Sequence, residues 1–70
     1  MILDERAARL EAALASLSGD HREIILLRKF QDLPFAEIAR RLGRSEDACR
    51  MLLARAMTAL TLALAQEGRP

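Results

Sequence analysis

The stretch from Phe35 to Met57, FAEIARRLGRSEDACRMLLARAM, constrains the fold of this chain more than any other. Phe35, Ile38, Ala39 and Leu42 recur at i, i+3, i+4 and i+7, the spacing of one apolar helix face. Gly43 follows, and glycine alone enters the left-handed conformation after a helix without a steric cost, so the helix ends there. Ser45 is a good N-cap for a second helix, and Glu46 with Asp47 puts negative charge on its first turn, where the helix dipole favours it. A short helix, a tight turn and a second helix with outward arginines is the sequence form of a helix-turn-helix.

The rest of the chain reads as support for that unit. Seventy residues make a single domain, 1–70, with a small buried fraction. There is no Trp or Tyr and there are only two Phe, so the core must be aliphatic. Abundant Ala, Leu, Arg and Glu with few β-branched residues favour an all-α domain. Leu3, Ala7, Leu10, Leu14 and Leu17 form the stripe of a first helix over 3–17. Ser18 and Gly19 interrupt it. Ser18 can cap a second helix over 18–31, with Asp20 in its first turn. Ile24, Ile25, Leu26 and Leu27 make that helix apolar on too wide a band for one exposed face, which places it centrally. Pro34 cannot continue it but suits the start of the next. The helix-turn-helix then occupies 34–57, and the last helix meets no breaker until Gly68, so it extends to about 66. The expected fold is a small four-helix domain.

At 100° per residue, Cys49, Leu52, Leu53, Ala56 and Leu60 gather on one side of the last helix. Asp47, Met51, Ala54 and Thr58 centre on the other, with Arg50 and Arg55 at the two edges of that outer strip. A helix in the DNA major groove wants this arrangement, a narrow strip for base edges and cations for the phosphate walls. Charge agrees. Residues 38–57 hold five arginines against Glu46 and Asp47, net +3, whereas residues 1–37 hold five basic against seven acidic residues, net −2. The same arginines could also do no more than solvate helix faces, their stems lying over leucines.

Other chemistries find little footing. A single Cys forms no internal disulfide, which makes the cytoplasm the expected compartment. One His and one Cys cannot build a four-ligand zinc site, and no cofactor is expected. Cys49 reads as a small core residue and His21 as a surface residue without catalytic partners. Neither a Gly-rich phosphate loop nor a catalytic carboxylate pair is visible, so the chain is not expected to be an enzyme. No apolar run looks long enough to span a bilayer, the start is no secretory signal, and no membrane partner is expected.

The segment Leu10 to Leu60 resembles region four, the C-terminal domain, of bacterial sigma factors, above all the compact extracytoplasmic-function group. The likeness lies in Leu17 to Glu23 (LSGDHRE), the aliphatic run with Arg28, Leu33 to Gly43 (LPFAEIARRLG), and Ser45 to Ala56 as a recognition helix. Such a resemblance implies sequence-specific binding of the minus-thirty-five promoter element, directing RNA polymerase in transcription initiation, while the opposite side holds the polymerase β-subunit flap. Carried over by position, Arg28 and Phe35 fall where the family contacts the DNA backbone or groove edge. Arg44 and Ser45 lie at the turn leading into the recognition helix, and Arg50, Met51, Ala54 and Arg55 on its groove-facing positions. With Asp47 from the outer strip, these make the expected DNA-binding set.

The family usually carries Lys or Arg at position 50 and Arg at 55, and both are kept. Met51 stands for a common Ser, Leu52 for a common Arg and Ala54 for a bulkier or polar reader. Hydrogen-bonded base readout then rests chiefly on Arg50 and Arg55, with Arg44 at the turn a further candidate, while Met51 and Ala54 contact thymine methyls or simply fit the groove. A working sigma factor also needs a domain for the polymerase clamp and the minus-ten element. The chain is therefore expected to be either an excised domain or a free-standing small protein.

Two other readings stand beside this one. Surplus leucine, in the Leu3, Leu10, Leu14 stripe and in Leu60, Leu62 and Leu64, could serve an anti-sigma factor, the flap or a homodimer without independent DNA binding. An output domain of the response-regulator type, dimerising through its last helix, is the third; the Leu17 to Glu23 start and Arg28 fit the sigma pattern better.

Overall fold

The computed structural model describes residues 4–67, so Leu3 of the first stripe and the breaker Gly68 lie outside the described residues. Four α-helices follow one another: α1, Glu5–Ser16; α2, Gly19–Ile25; α3, Phe35–Leu42; and α4, Glu46–Glu67. The described residues contain no strand, and the architecture is the expected all-α one. Local chemistry sets most boundaries. Asp4 caps α1, its carboxylate accepting from the Ala7 N–H at 2.8 Å. Ser18 caps α2 by accepting from the His21 N–H at 3.4 Å. Pro34 stands immediately before α3, and its carbonyl accepts from the Glu37 and Ile38 N–H groups.

Helix α4 packs against α2, α1 and α3 in turn. The core is Ala13 and Leu14 of α1, Ile24, Ile25 and Leu27 of the central segment, Ile38 of α3, and Cys49, Leu52, Ala56 and Leu60 of α4. Ile24, Ile25 and Ile38 are almost wholly withdrawn from water, each worth roughly 1.5–3 kcal/mol of burial. Ala7 is exposed, contrary to the expected stripe, and Ala13 replaces it inside. The buried spacing is thus Leu10, Ala13, Leu14, Leu17, and α1 packs against α4. His21 is half-buried rather than fully at the surface.

The segment expected as one regular helix over 18–31 changes character midway. Leu26–Phe30 is π-helical, with the Gln31 N–H donating to the Leu26 carbonyl at 2.9 Å and Leu33 N–H to the Leu27 carbonyl at 3.0 Å. Asp32 then takes φ 57°, a left-handed conformation that Asp tolerates better than most residues, and turns the chain towards Pro34. A wider last turn carries the backbone from the central helix into α3 while keeping its carbonyls bonded.

Against expectation, α4 is by length and composition long and apolar enough to cross a membrane. Apart from the terminal Glu67, its charges sit in the first half, and the run Ala56 to Gln66 is uncharged. Arg50 and Arg55 nonetheless interrupt any spanning stretch of 18 residues within it, and Cys49, Leu52, Ala56 and Leu60 of its inner face belong to the core.

Candidate nucleic-acid interface

The turn between α3 and α4 is built from three adjoining residues. Gly43 adopts φ 66°, ψ 36° and donates its N–H to the Ala39 carbonyl. The Arg44 N–H donates to the same carbonyl at 3.1 Å, closing the end of α3. Ser45 then accepts from the Ala48 N–H at 3.0 Å through its hydroxyl, and from Cys49 through its carbonyl. Local bonds thus cap both sides of the turn, and Ile38 of α3 and Cys49 and Leu52 of α4 are buried in the core beside it.

On α4, the inner side chains are those expected, with Leu53 half-buried beside the four core residues. Asp47, Arg50, Met51, Ala54, Arg55 and Thr58 are exposed. Met51 is 57% exposed, a large apolar side chain with nothing over it. The outer strip is therefore a solvent-facing surface flanked by two arginines.

Three of the expected residues meet at one point. The Arg28 guanidinium lies 4.7 Å from the Phe35 ring centroid, and that of Arg50 lies 5.2 Å from it. The π-helical turn, the first residue of α3 and the second turn of α4 thus converge on one aromatic ring, a cation–π arrangement. Arg28 is half-buried and also donates to the Leu33 carbonyl at 2.9 Å, so its fork is largely engaged inside the domain.

Most of the positive charge around the helix-turn-helix is internally matched. Glu37 accepts from Arg40 at 2.6 Å and from Arg41 at 2.9 Å. The hydrogen bonds from Arg40 and then Arg41 hold the Glu37 carboxyl below its ordinary range, and Glu37 in turn holds Arg40 more firmly protonated. Arg50 pairs with Asp47 at 2.9 Å and Glu46 at 3.4 Å, and Arg44 with Asp20 at 2.7 Å. Of the five arginines in 38–57, Arg55 is the one without an ion pair among the described residues. The net +3 of that segment overstates the cationic surface presented.

Sequence reading did not single out Glu37, Glu46 or Asp20 as partners of these arginines. The first two were findable, because their i,i+3 and i,i+4 spacing brings side chains together on any helix. Asp20 and Arg44 are 24 residues apart, and only the packing of α2 beside the turn joins them. No cluster of three or more metal-ligating side chains occurs among the described residues, and Cys49 is a free, fully buried thiol. The arrangement offers a charged, solvent-facing helix surface.

A family model described as Sigma-70, region 4, matches residues 7–60, from the first turn of α1 to the buried Leu60 of α4. No curated protein and no solved structure matches the chain.

Proposed function

The chain belongs to the sigma-70 region 4 family, and from that premise we propose that it binds double-stranded promoter DNA in transcription initiation, in the cytoplasm where RNA polymerase works. The reading extends to the minus-thirty-five element, with α4 in the major groove, and to the polymerase core through its β-subunit flap. One observation carries it. The matched segment ends in a helix whose outer strip is exposed between Arg50 and Arg55, on a turn fixed by Gly43 and Ser45. In this reading Arg55 reaches a phosphate or base edge directly, Arg50 does so from its place beside Phe35, and Arg44 and Ser45 meet the backbone at the turn. Met51 and Ala54 face thymine methyls, Asp47 lies within the strip, and Arg28 and Phe35 support it at the groove edge.

Fluorescence anisotropy of the full chain against minus-thirty-five-like and scrambled duplexes, at two salt concentrations, tests this. Salt-sensitive binding that prefers one duplex set is the expected result. Absence of binding even at low salt would sink it and favour a second reading.

That second reading is a protein-interaction module, supported by Phe30 and Leu62, which are 58% and 63% exposed outside the DNA strip. A polymerase flap, an anti-sigma factor or a second copy of the chain would be its partner. Sedimentation equilibrium separates the last: a strict monomer at high concentration counts against a homodimer.

A further inference from the structure

We propose that Asp20 limits the DNA affinity of this domain by occupying Arg44, the arginine at the helix-turn-helix turn. The inference rests on the DNA-binding reading above. Arg44 is anchored at its backbone by the bond to Ala39, so its side chain swings from a fixed point on the turn. Its Nη2 donates to Asp20 Oδ2 at 2.7 Å, a short charge-assisted bond. Both side chains face solvent, Arg44 at 41% and Asp20 at 64% exposure. Asp20 is the carboxylate that meets Arg44 among the described residues. The groove between them is also lined by Glu23 and Arg41, and Arg41 is already held by Glu37.

A carboxylate and a DNA phosphate are alternative acceptors for the same guanidinium fork. An exposed ion pair contributes little net free energy, so Asp20 does not lock Arg44; it competes for it. The competition costs affinity on every sequence alike, because a phosphate contact carries no base information. Asp20 therefore lowers sequence-independent binding and leaves base readout to α4. Its position in the first turn of α2, where negative charge suits the helix dipole, keeps it there for a structural reason as well.

The test is an anisotropy titration of a fluorescein-labelled mixed-sequence duplex over a salt series, with the full chain and with Asp20→Asn, Arg44→Ala and the double variant. Thermal melts of each confirm folding. Asp20→Asn is expected to bind about two- to five-fold more tightly. The slope of log affinity against log salt should steepen by up to about one, as Arg44 becomes fully free to neutralise a phosphate. Neither change should survive in the Arg44→Ala background. An equal gain in that background would mean that Asp20 acts only through net charge, and would overturn the inference. Unchanged or weaker binding by Asp20→Asn would overturn it too, by showing that Asp20 aims Arg44 at the DNA or has no part. Failure of every variant to bind at low salt is a different result: it overturns the DNA-binding reading, and this inference with it.

Discussion

Arg28 holds the π-helical turn to the start of α3 by way of Phe35, its guanidinium 4.7 Å from the ring centroid while one Nη donates to the Leu33 carbonyl at 2.9 Å. The pair closes a loop that contains the left-handed Asp32 and Pro34. That loop sets where α3 begins, and α3 sets the turn that carries α4.

Arg28→Ala should therefore cost about 1–3 kcal/mol, from a half-buried carbonyl losing its donor and a ring losing its cation. Arg28→Lys should recover only part, since an ammonium cannot stack and donate in the same plane. Urea midpoints decide it, and an Arg28→Ala midpoint equal to the parent's would remove the role assigned to this residue.

Gly43→Ala tests the turn by a different route. A Cβ there would meet nothing within 4 Å, so the cost is purely the left-handed conformation at φ 66°, about 1–2 kcal/mol. Gly43→Asn should lose less, because Asn visits that region more readily. Melting temperatures ranked glycine, asparagine, alanine are expected; alanine equal to glycine would contradict the backbone assignment.

The two serine caps should differ. Ser45→Ala is expected to cost about 1 kcal/mol, and Ser18→Ala less, because the Ser18 hydroxyl stands 3.4 Å from its N–H and the Ser45 hydroxyl 3.0 Å. Equilibrium unfolding of both variants, read side by side, would expose an error if the order were reversed.

Glu37 gives the acid limb of stability. Its folded-state pKa is depressed by hydrogen bonds from Arg40 and Arg41. The stabilisation it brings is fully present above the ordinary carboxylate range and is lost as the pH falls through the lower, folded value. Glu37→Gln should flatten that part of a stability–pH profile while leaving the neutral region's slope unchanged. A parent and variant with the same acid limb would show that other carboxylates carry it.

On the DNA-binding reading, Arg55 should matter more than Arg50. Arg50 must leave Glu46 and Asp47 to meet a phosphate, whereas Arg55 has no ion pair to break among the described residues. Arg55→Ala should lower the salt slope by about one and Arg50→Ala by less. A Glu46→Gln variant, releasing one of Arg50's partners, should bind more tightly. Equal slopes for both alanine variants would refute the ranking.

What could be read from the chain followed from how local each cause is. Ser18, Gly43 and Ser45 act on backbone groups within four residues, so their roles were legible in the sequence. The inner face of α4 was legible too, because helical spacing alone separates Cys49, Leu52, Ala56 and Leu60 from the rest. Periodicity could not choose between Ala7 and Ala13, since that depends on where α4 crosses α1. The π turn at Leu26–Phe30 left no sign either, because an α-turn and a π-turn use the same residue types and the difference is settled by the link to Pro34. For the candidate interface, position was legible and charge state was not: the arginines were visible, but their pairing with Asp20 depends on a contact across the fold.

The last helix has a mechanical consequence. As one uninterrupted element of 22 residues it is about 33 Å long, with its outward arginines in its first half and its grip on the core reaching to Leu60. The tip at Glu46 lies roughly 21 Å from Leu60 along it, and Cys49, Leu52 and Ala56 seat the stretch between them in the core. A swing of only about 5° at Leu60 would displace that tip by roughly 2 Å, far more than the range over which a hydrogen bond keeps its strength. The aim of the strip is therefore decided as much by the aliphatic core on the inner side of α4 as by any residue on the strip itself.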